Sequence, residues 1–234
     1  MKFMIINKKL VLVISIVLII LIILSIYLSV FKSKEVFHED IYYKGIKDDK
    51  IVAFVCNVDW GNEFIDDMLY IFNENDINIS FFLTGRWAKE NPDIVKDIKY
   101  HNHEIGNHGN NHLDYSQLSY ENNKKEISTA NDIIKDIVGI KPVLFGPPSG
   151  AYNENTLKAA KDLGMAVILW SVDTIDWRND STKELIIERV IKNIENSSIV
   201  LMHPTENTVK ALPEIIKYLF ENNYKIGTIS DVIQ

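Results

Sequence analysis

Ile51-Val52-Ala53-Phe54-Val55-Cys56 is an apolar run that passes directly into Asn57-Val58-Asp59-Trp60-Gly61. Such a run is short enough for a strand, and its end is loaded with polar groups. The setting recurs. Val143 to Phe145 runs into Gly146-Pro147-Pro148-Ser149-Gly150, Ala166 to Trp170 precedes Asp173-Thr174-Ile175-Asp176-Trp177, and Ile199 to Met202 delivers His203-Pro204. Ile79 to Leu83 and Lys225 to Thr228 read as further strands that carry less chemistry. Between them lie amphipathic stretches at helical spacing: Glu63 to Phe72, Asn91 to Tyr100, Ser119 to Val138, Asn153 to Leu163, Thr182 to Ile194 and Val209 to Phe220. Alternating strand and helix implies an α/β fold of parallel strands joined by right-handed crossovers. Polar groups gathered at strand C-termini favour a (β/α) barrel over an open sheet, because barrel enzymes build their sites there.

The N-terminus follows a different rule. Leu10 to Phe31 is nearly unbroken Leu, Ile and Val, and as a helix it would measure about 33 Å, enough to cross a bilayer core. It exceeds the apolar region of a signal peptide, about 7–15 residues, and Val30-Phe31-Lys32 offers no small-residue cleavage site. The expectation is one uncleaved transmembrane helix. Lys2, Lys8 and Lys9 before it favour an inside N-terminus and an outward-facing domain. The organisation read from the chain is therefore an N-terminus and anchor over 1–31, a polar stalk over 32–50 and one globular domain over 51–234, long enough for a sizeable core. A formal net charge of -7 argues against nucleic acid as a partner. Cys56 is the only cysteine, so no disulfide forms within the chain, and its place in an apolar strand suggests a buried thiol.

His108-Gly109-Asn110-Asn111-His112 sets two imidazoles four residues apart. On a helical turn they share a face and can grip one divalent cation at roughly 2.0–2.1 Å; the alternative is a pair on a solvated helix face. His203 reads as a site residue or a satisfied core histidine. Asp176 reads as a site residue or a turn cap, and Trp177 as a groove or a core residue. Trp60 and Trp170 read as barrel packing.

In order and spacing, Asn57 to Gly61, His108 to His112, Phe145 to Gly150, Asp173 to Trp177 and Leu201-Met202-His203-Pro204 resemble the five motif blocks of the polysaccharide deacetylase family, also called the NodB homology domain or carbohydrate esterase family 4. The resemblance covers nearly all of 51–234. It implies a distorted (β/α)7 barrel and a metal-dependent hydrolase that removes acetyl groups from N-acetylhexosamine residues of cell-wall glycan, peptidoglycan or chitin-like polymer. The short, single-anchor layout looks most like members linked to sporulation. The resemblance further implies one divalent ion (zinc, or cobalt, manganese or iron) held by Asp59, His108 and His112, with His203 as catalytic acid and Leu201 shaping the acetyl pocket. Pro147, Pro148, Asp173, Asp176 and Trp177 would line or support the glycan groove. Two departures stand out. Asn57 occupies the position of the catalytic base, leaving Asp59 as an alternative base or a helix cap. Gly146 replaces the arginine that orients that base. A catalytically impaired glycan-binding or regulatory protein on the same fold is the alternative that these departures support.

Overall fold

A computed structural model of the protein describes residues 41–234 together with Leu18 and Ile20, which are helical and exposed. The rest of the expected anchor over 1–31, and residues 32–40 of the expected stalk, lie outside the described residues. Among the described residues no helix is long and apolar enough to cross a membrane.

Among the described residues, nine parallel strands carry the domain: β1 (Ile41–Tyr42), β2 (Ile51–Val58), β3 (Ser80–Leu83), β4 (Glu104–Asn107), β5 (Leu144–Phe145), β6 (Ala166–Ile168), β7 (Val172–Asp173), β8 (Ile199–Met202) and β9 (Lys225–Gly227). The helices are α1 (Asn62–Glu74), α2 (Gly85–Glu90), α3 (Pro92–Tyr100), α4 (Tyr120–Val138), α5 (Glu154–Asp162), α6 (Lys183–Asn193), α7 (Glu206–Glu221) and α8 (Ile229–Ile233). The sheet runs β1-β6-β5-β4-β3-β2-β8-β7, with β9 added beside β2. Consecutive strands β2 to β6 are neighbours, as right-handed crossovers demand. The barrel is not evenly closed, since β6 and β7 do not pair among the described residues. Ile41 to Ile46 bridges that opening, from β6 to the N-terminal end of β8. β1 lies along β6, Lys44 bridges Ser198 just ahead of β8, and the Gly45 N–H donates to the Ser197 carbonyl at 2.7 Å. Residues 41–50, read as the end of the stalk, thus carry a strand of the sheet, and Tyr42 is buried.

The period of two along each strand divides the core. On β2, Val52, Phe54, Cys56 and Val58 face the helices, whereas Ala53 and Val55 face the barrel interior. On β8, Val200 and Met202 face out and Ile199 and Leu201 face in. Asn57 continues the inward series of β2, so the strand's own pleat delivers it to the barrel mouth. The opposite end is plugged by α8, whose Ile229, Val232 and Ile233 join the interior cluster. Ser80 receives the Ile229 N–H at 2.9 Å and donates to Glu104 at 2.5 Å, and Glu104 also accepts from the Ser230 hydroxyl.

The helices and strands expected over 51–234 are present. β4 was not anticipated as a strand, because Glu104-Ile105-Gly106-Asn107 has one large apolar side chain. Its place is fixed by β3, with Gly106 opposite Phe82, and a Cβ on Gly106 would lie 2.6 Å from that ring. Cys56 is fully buried, and burial pushes its thiol pKa well above the ordinary value.

Candidate active site

The C-terminal ends of the parallel strands open on one cavity of about 370 Å³. β2 brings Asn57, Asp59 and Trp60 to it; β4, His108 and His112; β7, Asp173 with Trp170 and Trp177; and β8, Leu201 and His203. Ser149 completes the lining from the turn after β5. Residues from all five sequence blocks therefore share one mouth, as a barrel active site requires. Pro147, Pro148 and Asp176 do not line the cavity. Pro147 and Pro148 form the turn that places Ser149, which adopts φ 55°, and Asp176 lies behind His203. Trp60 is 44% exposed and Trp177 56%. Trp60 is therefore not barrel packing: its indole stacks parallel to the His203 imidazole, ring centroids 6.1 Å apart. Trp170 packs partly on the interior cluster and partly on the cavity.

His203 is held by a buried carboxylate. Asp176 Oδ1 lies 2.8 Å from His203 Nδ1, while Oδ2 accepts the His203 backbone N–H at 2.7 Å and the Thr208 hydroxyl at 2.6 Å. This anchoring fixes Nδ1 as the protonated nitrogen and leaves Nε2 for a ligand. Gly61 adds a positional constraint. It sits at φ 86°, and a Cβ there would fall 2.2 Å from the Pro204 carbonyl oxygen, so the first block closes directly over the last. Asp173 also lines the cavity; burial raises its carboxyl pKa, partly offset by the Ile175 N–H and the His203 charge.

The two-histidine block is not a helical turn. After β4 the chain enters a loop in which Gly109 and His112 have positive φ, 76° and 54°, and Glu126 holds Asn111 by its backbone and side-chain amides at 2.9 and 2.8 Å. The imidazoles still meet edge to face, centroids 5.2 Å apart. His108 Nδ1 lies 2.7 Å from the Gly146 carbonyl, which orients the ring and leaves Nε2 available. Burial, with the neighbouring His112, lowers the His108 pKa to about 3, so this imidazole is neutral at physiological pH.

Asp59 is already engaged. Its Oδ1 accepts from the Thr84 hydroxyl at 2.6 Å and from Arg86 Nε at 2.8 Å, and its Oδ2 pairs with Arg86 Nη2. Burial works to raise its pKa, but hydrogen bonds from Arg86 and Thr84 and the charges of Arg86 and His112 outweigh burial and hold it below the usual carboxylate value. Arg86 and Thr84 escaped the sequence reading. The available signal was Thr84's position just after β3, the same strand-end setting that marks the other site residues.

The donor set meets the needs of a divalent ion in part. Two imidazoles have a free nitrogen suited to zinc, cobalt, manganese or iron. The expected third ligand, however, has its charge neutralised, and no group of three or more His, Cys, Asp or Glu among the described residues is arranged to hold a metal ion. As arranged, the Asp59, His108 and His112 set does not fit the ion.

Gly146, where the family arginine is expected, faces the Phe82 ring, and a Cβ there would lie 2.9 Å from Phe82 Cδ1. The space behind Asn57 is thus packed by an aromatic ring.

Residues 44–168 match the family model for polysaccharide deacetylase. The chain belongs to that family. It is 36% identical over 191 residues to the uncharacterized protein YlxY of Bacillus subtilis, a match that covers 82% of this chain and 60% of that one. A peptidoglycan-N-acetylglucosamine deacetylase of Bacillus cereus is 32% identical over 192 residues, covering 80% of this chain and 89% of the relative. Among solved structures, a CE4 family pseudoenzyme from Bacillus anthracis superposes with TM-score 0.82 at 36% identity, covering 85% of this chain and 70% of that one. A mutant of that pseudoenzyme, described as having restored enzymatic activity, superposes equally well at 35% identity, over 85% of this chain and 72% of the mutant.

Proposed function

We propose that this protein binds N-acetylhexosamine polymers of the cell wall, peptidoglycan above all, in the groove at the barrel mouth, and hydrolyses their acetamides slowly or not at all. One observation carries the reading. The cavity keeps His203, held from behind by Asp176, and its aromatic walls, but the position of the base holds the carboxamide of Asn57, 6% exposed on the inward face of β2. A carboxamide accepts no proton at neutral pH, and a general base is typically worth about 10²–10⁴-fold in rate. Asp59 does not replace it, because a carboxylate held below its usual pKa by Arg86 is a weaker proton acceptor. The likeness to a pseudoenzyme of the same family supports this assignment.

What remains suits recognition. Trp60 and Trp177 offer exposed aromatic faces to sugar rings, Leu201 gives the acetyl methyl an apolar contact, and His203, anchored by Asp176, presents Nε2 to the amide. The relative with a peptidoglycan-N-acetylglucosamine deacetylase name supports peptidoglycan as the ligand. The nearly unbroken apolar run from Leu10 to Phe31 supports a single-pass anchor with the domain outside the cell, close to that ligand. The layout fits the wall-remodelling setting of sporulation.

Calorimetric titration with N-acetylglucosamine oligomers tests the reading. Saturable binding is expected, weakened about fivefold by Trp177→Ala, whose lost stacking is worth about 1 kcal/mol. No binding by the parent protein would overturn it.

A further inference from the structure

We infer that Arg86 occupies the cation position at Asp59 and thereby suppresses divalent-metal binding at His108 and His112. The argument begins with the backbone. Arg86 is the second residue of α2, and its position is set by the very loop that carries the imidazoles: the Gly85 N–H donates to the Gly109 carbonyl at 2.9 Å and the Arg86 N–H to the Asn110 carbonyl at 3.1 Å. Thr84 bonds Asp59 and also accepts the Trp87 N–H at 3.4 Å as the cap of α2. The loop before the helix, the histidine loop and the strand end bearing Asp59 form one hydrogen-bonded unit, and the guanidinium enters it already aimed at the carboxylate.

The pairing is two-pronged, Nε to Oδ1 and Nη2 to Oδ2, with the Asp59 side chain 10% exposed and that of Arg86 50%. Bidentate arginine–carboxylate pairs are the strong members of their class. A divalent ion at the two imidazoles would therefore meet a carboxylate whose negative charge is already neutralised, and would sit close to a fixed positive charge. The same two imidazoles with a free Asp59 would form a three-donor set of mixed nitrogen and oxygen, of the kind that zinc and cobalt accept. Arg86 is thus a positioning residue that decides whether the pocket is a metal centre.

Cobalt(II) and zinc titrations of the full-length protein test this without glycan and without turnover, so the outcome is separate from that for the proposed function. Arg86→Gln should bind either ion at least about tenfold more tightly than the parent and should develop the visible absorption of a protein-bound cobalt site. Adding His108→Ala to Arg86→Gln should abolish that gain. Arg86→Lys, which keeps the charge and loses the fork, should fall between the two and serves if Arg86→Gln does not fold. Equal or weaker metal binding by both Arg86 variants would overturn the inference, since Arg86 would then be supporting Asp59 as a ligand. Tight binding by the parent would overturn it as well.

Discussion

Asn57 and Gly146 depart from the family pattern in different ways. The carboxamide of Asn57 stands on the inward face of β2 with room for a carboxylate of nearly the same shape, so Asn57→Asp should be tolerated and, in an Arg86→Gln background supplied with zinc, should raise turnover on N-acetylglucosamine oligomers about 10²-fold or more, read as acetate release. Gly146 is closed by packing. Because a Cβ there would fall 2.9 Å from the Phe82 ring, Gly146→Arg should lower the melting temperature and add nothing to the rate of Asn57→Asp. Phe82 fills the space that the family's arginine would need. At Asp176, three donors converge on one buried carboxylate. Asp176→Ala strands them and should cost about 3 kcal/mol in urea unfolding. Asn57 was legible because the block Asn57 to Gly61 matches the family's first block in order and spacing. Arg86 was not, because its partner lies on another strand end and only the folded register of β2 beside β3 brings them together.

At the scale of elements, the strands that announced themselves were those with long apolar runs. β4 did not, since its burial comes from Gly106 lying under Phe82 rather than from its own side chains. The histidine loop after it was misread as a helical turn for a local reason: Gly109 and His112 adopt left-handed conformations that a spacing rule does not report. Just before β4, His103 ties the turn after α3 to the start of β3, accepting the Ile79 N–H at 3.1 Å between the edges of Phe72 and Phe81. Burial, helped by the charge of His101, lowers its pKa to about 4. The unfolded chain takes up this proton near pH 6.5 and the folded one only near pH 4, so its contribution is intact above pH 6.5 and is lost as pH falls toward 4. Urea unfolding should find the protein about 2 kcal/mol less stable at pH 5 than at pH 7 from this group alone, with His108 acting in the same direction. His103→Gln should shrink that difference by a similar amount.

For the whole molecule, the barrel does two separable jobs. One end is sealed by α8 and the Ile41 to Ile46 segment, and the other gathers the strand ends into a groove walled by tryptophans. Gly61 joins these strand ends, and Gly61→Ala, which forces a side chain into both a left-handed turn and the Pro204 carbonyl, should cost about 2–3 kcal/mol and displace His203 from Asp176. The displacement is observable in the imidazole NMR signals. The central claim is that the groove outlives the hydrolytic step, and mass spectrometry of peptidoglycan fragments incubated, with zinc, with the parent and with Asn57→Asp combined with Arg86→Gln tests it most directly. The account predicts fully acetylated fragments with the parent and progressive loss of acetyl groups with the double variant; a parent that removes acetyl groups as fast as the double variant would contradict it.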